Sequence, residues 1–78
     1  MNTEKLIRAL ATVGLTKFKA VNVWDGDVCK PGIMIEHDYT GLYPGVDQLE
    51  MHAAACKVAR RLGLRAENRG HYTATLIY

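Results

Sequence analysis

PGVDQLEMHAAACKVARRLGLRAENRGHYTATLIY, residues 44–78, carries the punctuation that decides the fold. Asp47 and Glu50 stand three apart, the spacing of a capping box, and Val46 and Met51 are placed to form the hydrophobic staple beside it. The pattern predicts a helix over residues 48–62. Met51, Ala55, Val58, Ala59 and Leu62 line its buried side, and Asp47, Glu50, Lys57 and Arg61 the opposite one. Gly63 ends it by supplying a left-handed residue just past the last turn. Residues 64–67, a turn through Asn68, Arg69 and Gly70, and residues 71–78 then read as a hairpin. Its last strand alternates Tyr72, Ala74, Leu76 and Tyr78 against His71, Thr73, Thr75 and Ile77.

Upstream, Asn2 or Thr3 can cap a first helix, with Glu4 suited to its first turn. Leu6, Ile7, Ala9, Leu10 and Val13 fall on one side, and Glu4, Lys5, Arg8 and Thr12 on the other. Gly14 ends this helix and Leu15 follows, as Leu64 follows Gly63. Residues 16–24 read as a strand, rich in β-branched and aromatic side chains. Phe18 and Ala20 share one face, Val21 and Val23 the other, so either both faces are covered or a bulge near Ala20 switches the parity. Residues 25–32 hold two turn signals, Asp25-Gly26 and Pro31-Gly32, and read as one long hairpin loop, with a tight turn at Asp25-Gly26 as the alternative. Residues 33–37 return, with Ile33, Ile35 and His37 on one face. Residues 38–45 form a loop holding Tyr39, Leu42 and Tyr43 among glycines.

The order αββαββ defines an α+β class. The simplest packing is a two-layer sandwich, two helices on one face of a four-stranded, mainly antiparallel sheet. The other face is left for solvent or a partner. At 78 residues the chain reads as one compact domain, 1–78, small enough for a homodimer to add useful burial. An apolar fraction of 49% with 23% charged residues argues against disorder. Glu4, Lys5 and Arg8 interrupt the apolar positions of the first helix, so it is neither a signal peptide nor a membrane span. Cys29 and Cys56 without a secretion signal point to free thiols and a cytoplasmic location.

Charge is polarised along the chain. Between residues 25 and 50, six acids (Asp25, Asp27, Glu36, Asp38, Asp47, Glu50) face Lys30 alone; between 57 and 71, five bases face Glu67. Solvated charge on two surfaces is the plainest explanation. A functional alternative is a ridge of Lys57, Arg60, Arg61, Arg65, Arg69 and His71 that tracks RNA or DNA phosphates, with Tyr72 able to stack on a base. Against it stand the acidic half and the ordinary complementarity of arginines to a helix C-terminus.

Other chemistry is thinly supported. His52 and Cys56 lie four apart on one helix side, and Cys29, His37 or His71 could complete a tetrahedral metal set, but paired Cys spacing is absent. Cys56 also suits the core. Cys29 beside Lys30 could be an activated thiol in a small thiol- or metal-dependent protein. No serine is present, and no cofactor motif. The run of helix, Gly63-Leu64, strand, Arg69, Gly70 and His71 resembles the helix, Gly, strand, Gly-x-His segment of small double-stranded-RNA-binding-like toxins of the HicA type. The likeness covers this segment alone, no helix follows the strands, and the family's function is not carried over.

The composition therefore favours a module that binds protein and lacks catalytic activity. Trp24, Tyr39 and Tyr43 are the candidate apolar anchors, and Asp25, Asp27, Glu36 and Asp38 the acids that would engage a basic partner. The size of the chain suggests an inhibitor that occludes a larger nucleic-acid-handling complex, as phage- or mobile-element-encoded inhibitors of the anti-CRISPR sort do.

Overall fold

The computed structural model describes residues 2–37 and 46–78. In chain order the elements are α1 (Thr3–Thr12), β1 (Phe18–Asp25), β2 (Val28–Glu36), α2 (Val46–Arg61), β3 (Ala66–Arg69) and β4 (Ala74–Ile77). The strands form one antiparallel sheet in the order β1-β2-β4-β3. The αββαββ order and the two-layer α+β arrangement are as the residue pattern predicts.

Both helices end in the same hydrogen-bonded motif. At α1, Gly14 N–H donates to the Ala11 carbonyl and Leu15 N–H to that of Leu10; at α2, Gly63 donates to Arg60 and Leu64 to Ala59. This 5→2 and 6→1 pair is the Schellman geometry, and it needs a left-handed residue at the glycine. Gly14 and Gly63 have φ of 79° and 70°. The following leucine is turned back onto the core, with Leu15 buried and Leu64 packed against it. At the other end of α1, the Asn2 side chain accepts from Lys5 N–H at 3.1 Å. Helix α2 begins at Val46 and not at residue 48, so Asp47 is not the cap of a capping box but lies inside the first turn, where its charge favours the helix dipole. The staple through Val46 lies outside the described side chains.

The core lies between the helices and one sheet face. Leu6 and Leu10 of α1, Ala55, Val58 and Ala59 of α2, Ile33 and Ile35 of β2 and Ile77 of β4 are all buried. The two alanines bring α2 close to the sheet. Register assigns every other strand residue to a face: Phe18, Ala20, Asn22 and Trp24 share the helix side with Ile33 and Ile35, because Phe18 pairs with Ile35 and Ala20 with Ile33. Val21, Val23, Gly32, Met34 and Leu76 take the opposite face.

Two expectations change. Residues 25–32 are not one long loop, and the alternative of a tight turn holds one residue further on: β1 and β2 pair without interruption from Phe18↔Ile35 to Asp25↔Val28, joined by the two-residue turn Gly26-Asp27. Gly26, at φ 64°, takes the first position of a type II′ turn, the one whose twist matches a hairpin. Pro31-Gly32 lies within β2. Pro31 has the parity of β2 residues whose backbone groups point away from β1, and β4 pairs only over Ile33–Glu36, so its missing N–H interrupts no ladder. Gly32 is where Val23 Cγ2 crosses the strand, 2.8 Å from where a Cβ would stand. Second, neither alternative for β1 holds: no bulge occurs near Ala20, the parity is regular, and the helix-side face of β1 is exposed because the strand extends past the layer of helices. On β4, Thr75 and Ile77 face the core while Ala74 and Leu76 face away from the helices. Leu76 is nonetheless buried.

Candidate functional site

The far half of the β1–β2 hairpin is an arm. Strand β4 pairs with β2 only over Ile33–Glu36, which leaves residues 21–25 and 28–32 of the hairpin without a third strand. Among the described residues no layer covers this arm on either side, and three of the large exposed apolar residues lie on the hairpin: Phe18 (37%), Trp24 (70%) and Val28 (56%). Trp24 lies on the helix side opposite Cys29, Val28 on the other side opposite Asp25. The tip is acidic. Asp25 is bridged to Lys30 at 3.1 Å, leaving Asp27 as the uncompensated charge of the turn. Glu36 is elsewhere, at the base of β2, 3.8 Å from Lys19. Asp38, Tyr39 and Tyr43, with Leu42, lie outside the described residues.

A second grouping is interior. Register places His37 next to β4, its N–H donating to the Thr73 carbonyl at 2.9 Å. His37 Nε2 lies 2.7 Å from Thr75 Oγ1, and His52 Nδ1 of α2 approaches the same oxygen at 2.8 Å. His52 Nε2 is in turn 3.4 Å from Cys56 Sγ, and the edge of Tyr72 meets the His52 ring at a centroid distance of 5.1 Å. A hydroxyl carries one proton and two lone pairs, so it can donate to at most one of the two imidazoles and accepts from at least one of them. The two tautomers are thereby linked. His37 Nδ1 is buried without a hydrogen-bond partner. A bare acceptor is tolerated there more readily than a bare N–H. The unpartnered Nδ1 favours Nε2–H on His37, which then donates to Thr75; the Thr75 proton is satisfied within this group when Thr75 donates to His52 Nδ1, an arrangement that leaves His52 Nε2–H facing Cys56. Burial, with the neighbouring His52 charge adding to it, lowers the His37 pKa below its ordinary value; burial alone lowers that of His52.

Three of the five candidate metal or thiol residues, His37, His52 and Cys56, thus come together, but the two histidines meet at a hydroxyl and Cys56 touches only His52. Among the described residues no group of three His, Cys, Asp or Glu is placed to hold a metal ion. Cys29 stands apart in β2, exposed on the arm, where the turn-rich sequence had suggested a loop. Thr75 is the residue that sequence reading missed, since a threonine in a strand gives no signal of its own.

The bases divide. Lys57, Arg60 and Arg61 are exposed on α2, in the helix layer. Arg65 and Arg69 have the parity of Glu67, which pairs with Leu76 on the opposite sheet face. Arg69 is bridged to Glu67 at 3.0 Å, and the Tyr78 hydroxyl donates to the same carboxylate, which raises the Tyr78 pKa. His71 is exposed in the β3–β4 turn at φ 53°, beside Tyr72 at 69°. Asn68 Oδ1 accepts from Tyr72 N–H and helps hold that turn.

No protein-family model, curated protein or solved structure matches the chain. Among the described residues no helix is long and apolar enough to cross a membrane.

Proposed function

We propose that the protein works by binding another protein through the β1–β2 arm. The observation that carries this reading is the exposure of Trp24 at the end of an arm that no other element among the described residues covers. A tryptophan is the side chain most enriched where binding energy concentrates, and it is costly to leave in water without use. Val28 supplies a second apolar contact on the other face of the tip, and Asp27 with Asp25 gives the tip an acidic rim suited to a basic partner surface. An inhibitor that occludes a nucleic-acid-handling complex would use such a tip, since those complexes present basic surfaces. The divided arrangement of Lys57, Arg60, Arg61, Arg65 and Arg69 favours this over direct phosphate tracking, which needs one continuous basic surface.

Replacing Trp24 and Val28 with alanine removes no core contact. In affinity capture with the protein immobilised, the double variant is expected to lose the partner that the wild type retains, with an unchanged far-UV spectrum. Equal capture by the two proteins would contradict the assignment.

A further inference from the structure

The sheet has two edges, and they differ. Strand β3 is four residues long and carries Glu67 and Arg69, the short charged form that discourages pairing. Strand β1 is eight residues long, and Lys19 is its only charge before the terminal Asp25. Its free hydrogen-bonding groups can be located. Glu36 N–H donates to the Lys17 carbonyl at 2.9 Å, so residue 17 faces β2. Antiparallel pairs alternate, hence residues 19, 21, 23 and 25 also face β2, and Phe18, Ala20, Asn22 and Trp24 turn their N–H and C=O groups to the open edge. The same four residues carry their side chains on the helix side, where all are exposed.

We infer that a second copy of this chain occupies that edge, β1 pairing antiparallel with β1 about a two-fold axis at Val21. This rests on the arm being the docking surface: it gives the open β1 edge to a second copy and leaves the acidic turn at Asp27 to the basic partner. The strand is complementary to itself in this register. Phe18 lies opposite the copy's Trp24, and Trp24 opposite its Phe18, so both exposed aromatic rings are covered twice over by one contact. Ala20 meets Asn22, Val21 meets its own copy, and Lys17 meets Asp25 at both ends. Every outward backbone group from Phe18 to Trp24 finds a partner, and no like charges are opposed. The result is a continuous eight-stranded sheet, with Val21, Val23 and Val28 of the two copies merged on the face away from the helices. A foreign strand would need to reproduce this aromatic and charge pattern; the second copy has it by symmetry.

The test is the mass of the full chain in solution from micromolar to near-millimolar concentration. A shift from 8.7 kDa toward twice that mass is expected, with the Trp24 emission moving to the blue over the same range as the ring is covered. Asn22→Pro removes an N–H that β2 does not use, and is expected to raise the dimer dissociation constant at least about tenfold. Trp24→Lys, at an exposed position that does not endanger the fold, should do the same. A monomer at all concentrations, or a dimer indifferent to Trp24→Lys, overturns the inference. If such a monomer still lost its captured partner on Trp24→Ala with Val28→Ala, the binding reading would stand and only the second copy's place on the edge would fall.

Discussion

Thr75 holds more of the interior together than its size suggests. It is fully buried, and its single hydroxyl satisfies two histidines from two different elements, β2's extension and α2. Thr75→Val keeps the shape but strands both ring nitrogens, so a loss of about 1–3 kcal/mol is expected in urea unfolding. The same two rings set a pH dependence. Both have pKa values lowered in the fold, so between the unfolded value and the folded one the unfolded chain binds the extra proton. Stability from this source is complete above the ordinary histidine range near 6.5 and falls as pH drops below it. Each histidine contributes a slope of at most about 1.4 kcal/mol per pH unit. Unfolding midpoints measured from pH 8 to pH 5 should fall in this sense, and the slope should flatten in His37→Phe. A midpoint that rose on acidification through this range would contradict the buried, neutral assignment.

At the scale of elements, the helix ends were the most legible part of the chain. A glycine followed by leucine after an amphipathic run specifies both the left-handed residue and the apolar side chain that closes the motif. Gly63→Ala, at φ 70° with open space around the missing Cβ, is expected to cost about 1 kcal/mol through backbone strain alone. An unchanged thermal midpoint would refute that motif as the cause of the helix stop. The β1–β2 hairpin was less legible. Pro31-Gly32 has the composition of a turn, and only the sheet order, with β4 stopping short of it, makes proline acceptable there. The mixed parity of Phe18, Ala20, Val21 and Val23 reflects a strand that projects beyond both layers, so neither face needs to be consistently apolar. Thr75 and Ile77 face the core although Tyr72, Ala74 and Leu76 are the more obviously apolar series. Tyr72 is in the turn and Leu76 is buried on the other face, facts that depend on the neighbouring strands. The i, i+4 spacing of His52 and Cys56 was readable, whereas the approach of His37 depends on β2 pairing with β4.

For the whole molecule, the helices cover the half of the sheet built from β4, β3 and the base of β2, and the hairpin extends past them. Burial thus separates a packed body from an arm, and the large apolar residues left exposed on that arm belong to β1 and β2. This division is the basis for placing binding on the arm and for assigning the bases of α2 and β3 to separate surfaces. Trp24 is the only tryptophan, so its fluorescence reports on the arm alone. The most direct measurement is iodide quenching of that emission at high dilution, where self-association is absent. A red emission, quenched about as fully as free tryptophan in water, is the expected result. A blue, iodide-resistant emission from the dilute monomer would mean that Trp24 is packed within its own chain, and would contradict an arm free to bind.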